Sequence, residues 1–158
     1  MMTTTEKHGL RKKLLDACIA KQQFLIDDFK DRIKALIESD GLGNEEPYDN
    51  TDVAVNSSKV AEINTLNDHL AFANAELHAL EKLKVTQEVD RSHVSPGAIV
   101  VTNHSTFFIS VSVEKFMVEG HVYIGISTSS PLYQAMRQKS KGDTFTFNGI
   151  SYKIKEIF

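Results

Sequence analysis

The chain has 158 residues, of which 41% are hydrophobic and 25% charged, with three prolines, eight glycines and one cysteine. That composition excludes a disordered chain, a collagen repeat and a disulfide-stapled miniprotein, and no apolar run approaches the ~20 residues of a membrane-spanning helix. The formal net charge of -3 argues against a free-standing nucleic-acid binder, which neutralises phosphates with clustered Lys and Arg. The first residues enter a charged, helix-like stretch with no secretory signal, so a soluble, cytoplasmic protein is expected. Charge separates the halves: residues 1–84 hold 11 Lys/Arg against 15 Asp/Glu, and residues 85–158 hold 7 against 6.

From Thr5 to Glu38 there is no Pro and a single Gly, and Cys18, Leu25, Phe29, Ile33 and Leu36 recur at helical steps interrupted only by Gln22. This predicts one amphipathic helix roughly 50 Å long. Thr3 with Glu6 three residues on fits a capping box at its start, the alternative being a disordered start. Cys18 falls on the apolar stripe and reads as a small buried hydrophobe. A second helix is predicted from about Ser58 to Lys84, where Ile63, Leu66, Leu70, Ala73, Leu77 and Leu80 form a heptad seam. Two such helices bury their stripes most economically against each other, as an antiparallel coiled-coil hairpin.

Between them, Glu38, Asp40, Glu45, Glu46, Asp49 and Asp52 crowd a segment without Lys or Arg, among the turn formers Gly41, Gly43, Asn44, Pro47 and Asn50. The segment, about 39–57, reads as an acidic loop at the hairpin tip. A solvated acidic loop is one account of it; oxygen ligands for a hard divalent cation, completing a site elsewhere, are the other. The spacing is not that of an EF-hand.

Past Lys84 the pattern changes, and a domain boundary is placed near residue 88, giving a hairpin over 1–87 and a second domain over 88–158. Ala98–Thr102, Thr106–Val113, Val122–Ile126, Thr144–Phe147 and Ser151–Ile157 have strand composition, and Asn148-Gly149 signals a type I′ hairpin between the last two. Only Pro131–Lys139 reads as helical. The whole is predicted to be an α+β protein, with a small sheet domain following the hairpin.

In that second domain, Ile126-Ser127-Thr128-Ser129-Ser130-Pro131-Leu132 is followed by Ala135-Met136, Lys139, Gly142-Asp143, Tyr152-Lys153-Ile154 and Ile157. This order and spacing resembles the C-terminal domain of the bacterial GreA/GreB transcript-cleavage factors over about 33 residues. The upstream strands match weakly, and the first half matches as an antiparallel coiled-coil hairpin with an acidic tip. Tyr133 and Arg137 depart from the small and apolar residues usual there, so a different surface is expected on that helix. The tip run Ser39-Asp40-Gly41-Leu42-Gly43-Asn44-Glu45-Glu46-Pro47-Tyr48-Asp49 matches the family's Gly-Asp-Leu-x-Glu-Asn-x-Glu-Tyr only approximately, because Gly41 and Pro47 alter the carboxylate spacing.

The resemblance implies an FKBP-like fold for the second domain and a transcription elongation factor, acting as a monomer. It would bind RNA polymerase at the secondary channel and touch nascent RNA only indirectly. Asp40, Glu45 and Glu46 would assist cleavage of backtracked RNA, Asp40 and Glu45 by sharing Mg with the polymerase active site. Ser127, Ser130 and Pro131 would contact the polymerase; read alone, a Ser-Pro pair simply starts a helix. The chain would then have no cofactor of its own and would not be an enzyme. A non-cleaving regulator or inhibitor in the same channel suits the altered tip equally. Two further readings are a prolyl isomerase using Phe107, Phe108, Phe116, Phe145 and Phe147, which at strand spacing read rather as core, and a hairpin that dimerises. Lys7, Arg11, Lys12 and Lys13 read as an RNA-contacting patch or as a solvated helix end. The six histidines lack metal-ligand spacing.

Overall fold

A computed structural model describes residues 2–39, 50–86, 89 and 91–158. Helix α1 (Thr4–Ser39) begins at the expected capping box: the Thr3 backbone N–H donates to Glu6 Oε2 at 2.6 Å, and the Glu6 N–H donates to Thr3 Oγ1 at 3.2 Å. Leu14, Leu15, Cys18, Gln22 and Ile26 are buried along it. Leu25, expected on this stripe, is instead 39% exposed, and Ile26 is buried in its place. Four residues on from Gln22 return closer to the same face than three do, and the stripe follows the helix period past its polar member.

Helix α2 (Asn50–Leu83) starts earlier than the predicted Ser58. Nothing from residue 50 to 57 is Pro or Gly, and a formed helix extends at little cost until a breaker stops it. Its seam is as expected: Leu66, Ala73 and Leu80 are buried, with Ile63, Leu70 and Leu77 half-buried. The chain forms two compact units, Lys21–Leu77 and a second made of Met1–Ala20 with His78–Phe158. In the first, Gln22 Nε2 donates to the Ala73 carbonyl at 3.0 Å and to Glu76 Oε2 at 3.2 Å, joining the two helices inside their apolar seam.

The second unit is built on a six-stranded sheet. Its strands are β1 (Ile99–Thr102), β2 (Thr106–Ser110), β3 (Val113–Val118), β4 (His121–Ser127), β5 (Thr144–Phe147) and β6 (Ile150–Ile157), in the spatial order β3-β4-β2-β1-β6-β5. Strands β2 and β4 are parallel, with Phe107 beside Ile124 and Ser110 beside Ser127; every other pairing is antiparallel. Strand β3 is the element that sequence reading missed, its first residue having been assigned to the preceding strand. Glu114 and Lys115 break its apolar pattern, which an edge strand with solvent beside it tolerates. The signal for it was Glu119-Gly120, both at positive φ, which turns β3 into β4. Asn148 and Gly149 turn β5 into β6 in the same way, as predicted. Helix α3 (Pro131–Met136) ends short of Lys139, where Gln138 takes a positive φ.

Both faces of the sheet are covered. Val100, Phe107, Ile109, Ile126, Phe145 and Ile154 pack with Met136 of α3 on one face. Ile99, Phe108, Phe116, Tyr123 and Phe158 pack on the other with Leu14, Leu15 and Cys18 of α1 and Leu80 of α2. Alternate residues of β2 go to opposite cores, and so this strand reads as a continuous apolar run.

Arg91 ties the end of the helical segment to the sheet. Its guanidinium donates to the carbonyls of Thr86, Val89 and Pro96 at 2.8–2.9 Å. Gly97 lies against it at φ +86°, and a Cβ there would meet the guanidinium at 2.5 Å. At Gly125 of β4 a Cβ would come within 2.6 Å of the Val111 carbonyl oxygen, a backbone atom that cannot step aside. Gly97→Ala therefore introduces a strained backbone conformation and displaces Arg91, and it is expected to lower stability in urea denaturation by about 2 kcal/mol. Gly125→Ala is expected to cost at least as much, by pushing β4 away from the chain that leads into β3.

Candidate functional site

The best-defined part of the predicted site is the loop between β4 and α3. Ser130 is the N-cap of α3: its Oγ accepts the Tyr133 N–H at 3.1 Å, and Pro131 occupies the first helical turn, where its missing N–H costs nothing. Ser127 Oγ accepts the Ser129 N–H at 3.2 Å and lies 2.8 Å from Ser129 Oγ, and the Ser127 carbonyl accepts the Ser130 N–H. Gln134 reaches back to the Thr128 carbonyl at 3.3 Å. The structure thus brings Ser127, Ser130 and Pro131 into one braced turn. The two serine hydroxyls hold its shape, while Thr128, Ser129 and Pro131 are exposed.

Tyr133, expected to alter the outer surface of α3, is half-buried and packs against the sheet core beside Leu132. Arg137 is exposed, and its Nη1 donates to Gln134 Oε1 at 3.3 Å. Of these two residues, Arg137 is exposed and Tyr133 is shared between the core and the surface.

Asp40, Glu45 and Glu46 lie outside the described residues. Among the described residues no group of three or more His, Cys, Asp or Glu is arranged to hold a metal ion, and no helix is long and apolar enough to cross a membrane.

The basic cluster near the start of α1 has a structural role. Lys7 pairs with Glu156 of β6 at 3.1 Å and lies 5.4 Å from the centre of the Phe158 ring. Lys13 pairs with Glu119 in the β3–β4 turn. Arg11 is buried, and it lines a small void with Leu15, Leu83, Arg91 and Phe108. Burial, with a smaller contribution from Arg11, pushes the Arg91 guanidinium down from its ordinary value. Lys7 and Lys13 bind α1 to the sheet domain and Arg11 is buried against it, while Lys12 is exposed. From sequence these read as an RNA-contacting patch or a solvated helix end, because the partners of Lys7 and Lys13 lie more than a hundred residues away.

The aromatic residues weighed for an isomerase pocket do not converge. Phe107, Phe145 and the half-buried Phe147 pack in one core and Phe108 and Phe116 in the other, across the sheet, so the five do not line one pocket. Tyr152 stacks on Phe145 with ring centres 4.9 Å apart and meets Phe107 edge-on at 5.9 Å, as core aromatics do.

A scan against protein-family models and a search of curated proteins return no match to this chain.

Two measurements separate what fixes α1 to the sheet. Leu80→Ala removes a fully buried side chain from the core shared by α1, α2 and the sheet and is expected to lower stability by about 3 kcal/mol. A double-mutant cycle on Lys13 and Glu119, both more than half exposed, is expected to give a coupling of at most about 1 kcal/mol.

Proposed function

We propose that this protein is a Gre-type transcription elongation factor. On this reading it binds RNA polymerase at the secondary channel and stimulates the polymerase's own cleavage of backtracked RNA. The observation that carries the reading is architectural: two packed helices of 36 and 34 residues are followed by a small sheet domain, in which Ser127, Ser130 and Pro131 share one turn at the start of α3. The sequence order around that turn supports it, as does the acidic segment between the helices.

In this proposal the turn at 127–131 contacts the polymerase and the sheet domain is FKBP-like. The tip acids Asp40, Glu45 and Glu46 approach the polymerase active centre. Carboxylate oxygens suit Mg, and an ion shared between Asp40, Glu45 and the polymerase would supply charge stabilisation for phosphodiester hydrolysis. The protein modulates a nuclease activity that belongs to its partner and needs no cofactor of its own.

One feature favours a second reading, that of a regulator occupying the same channel without promoting cleavage: Gly41 and Pro47 change the spacing of the tip carboxylates from the Gre pattern. Stalled, backtracked elongation complexes with Mg and end-labelled RNA distinguish the two. If the first reading holds, added protein shortens the RNA, and Asp40→Ala or Glu45→Ala lowers that cleavage rate by tenfold or more while binding persists. If the second holds, the protein inhibits synthesis without shortening RNA. Absence of both binding and effect would overturn the polymerase assignment.

A further inference from the structure

The two edges of the sheet are built differently. Strand β3 forms one edge, and its register shifts between Val113 and Phe116, where Glu114 and Lys115 are exposed. Irregularities and charges of this kind keep an edge from pairing with another chain. Strand β5 forms the other edge and has neither. Its residues, Thr144–Phe147, pair in unbroken register with β6 and include no charge and no proline.

The backbone groups open at that edge follow from the hairpin. Asn148 and Gly149, both at positive φ, make a two-residue turn, and the residues flanking such a turn, Phe147 and Ile150, exchange hydrogen bonds. The pattern alternates along the pair. Phe145 and Phe147 therefore direct their N–H and C=O groups to β6, while Thr144 and Thr146 direct theirs to the open side.

The side chains at the edge differ between its two faces. Thr144 lies beside Lys153 and Thr146 beside Ser151, and all four are exposed on one face. On the other face Phe145 is buried and Phe147 half-buried against the core that holds Tyr152. The surroundings are basic: residues 139–155 contain Lys139, Lys141, Lys153 and Lys155 against a single acid, Asp143. None of these lysines is in an ion pair among the described residues. Asp143 Oδ2 accepts the Ser140 N–H at 2.8 Å, and the next acid along, Glu156, pairs with Lys7.

We propose that β5 is a docking edge for an extended segment of a partner protein in which acidic and apolar residues alternate. The segment adds as a further strand, its main chain bonded to Thr144 and Thr146. The period of two then places its carboxylates on the face of Lys153 and its apolar side chains beside Phe147. Main-chain bonds supply affinity, and the unpaired lysines select an acidic over a basic segment. The inference is independent of the polymerase reading, because the binding it describes needs only this chain and a peptide.

The probe is the peptide acetyl-Glu-Val-Glu-Val-Glu-Val-amide, titrated into the full chain and followed by backbone amide NMR and hydrogen exchange. It is expected to shift the β5 amides saturably and to slow exchange at Thr144 and Thr146 at least fivefold, with smaller changes at Phe145 and Phe147. The same peptide with Lys for Glu tests the charge, and octauridylate tests a nucleic acid in its place; each is expected to bind at least tenfold more weakly. Lys141→Glu combined with Lys153→Glu reverses two exposed charges and is expected to weaken the acidic peptide tenfold or more. Thr146→Pro removes an outward N–H, a change that edge strands tolerate, and is expected to weaken it by a similar factor. The proposal is overturned if the β5 amides do not move, if exchange at Thr144 and Thr146 is unchanged at saturation, or if either control binds as tightly as the acidic peptide. Unchanged affinity in the double charge reversal overturns it equally, including where Thr146→Pro fails to fold.

Discussion

A sheet whose strands are apolar on both faces must have both faces covered, and most of the second unit's structure depends on that constraint. Helix α3 and its flanking turns cover one face. The other carries Ile99, Phe108, Phe116, Tyr123 and Phe158, and it is kept from water by Leu14, Leu15 and Cys18 of α1 with Leu80 of α2. Burying each such side chain contributes about 1.5–3 kcal/mol. Removing the helix ends would expose a large apolar surface, so the first turns of α1 and the last turns of α2 belong physically to the sheet domain. The ion pairs of Lys7 and Lys13 lie around this apolar contact, half-exposed; they orient α1, while the apolar burial holds it.

The remainder of the helix pair follows a different logic. Its seam is mostly Leu, Ile and Ala, which pack in more than one register with little difference in energy. Gln22 breaks that degeneracy: its amide is satisfied only where the Ala73 carbonyl and Glu76 lie opposite. A buried polar side chain that finds partners in one alignment alone favours that alignment over slipped ones. A slip of one turn would move every residue of one helix past the other and leave this amide without those partners.

The turn at 127–131 is shaped by its own side chains. Ser127 and Ser130 use their hydroxyls to fold the loop and cap α3, and this leaves Thr128, Ser129 and Pro131 facing outward on a rigid support. A partner reading this turn would meet a preformed surface, so little ordering cost would be incurred on docking. The Ser-Pro pattern from which a partner contact is proposed is the same pattern that starts α3.

Local regularity made much of this legible in the chain. The heptad seam from Ile63 to Leu80, the Thr3–Glu6 cap, the Asn148-Gly149 turn and the Ser130-Pro131 helix start each depend on residues within a few positions, where spacing alone dictates geometry. Cys18 as a buried hydrophobe followed from the stripe on which it lies. What depended on distant neighbours was not legible. Glu114 and Lys115 hid β3, because strand formation there rests on pairing with β4 rather than on alternation. Lys7 and Lys13 read as a charged helix end until the fold brought Glu156 and Glu119 beside them, and Tyr133 read as surface until the sheet core received it. Sequence by itself determined which segments are helix, turn and most of the strands, since those are set by short-range sterics and hydrogen bonding. The tertiary structure alone decided which charges are neutralised, which faces are covered and where open space remains, because these are properties of groups that meet only after the chain has folded.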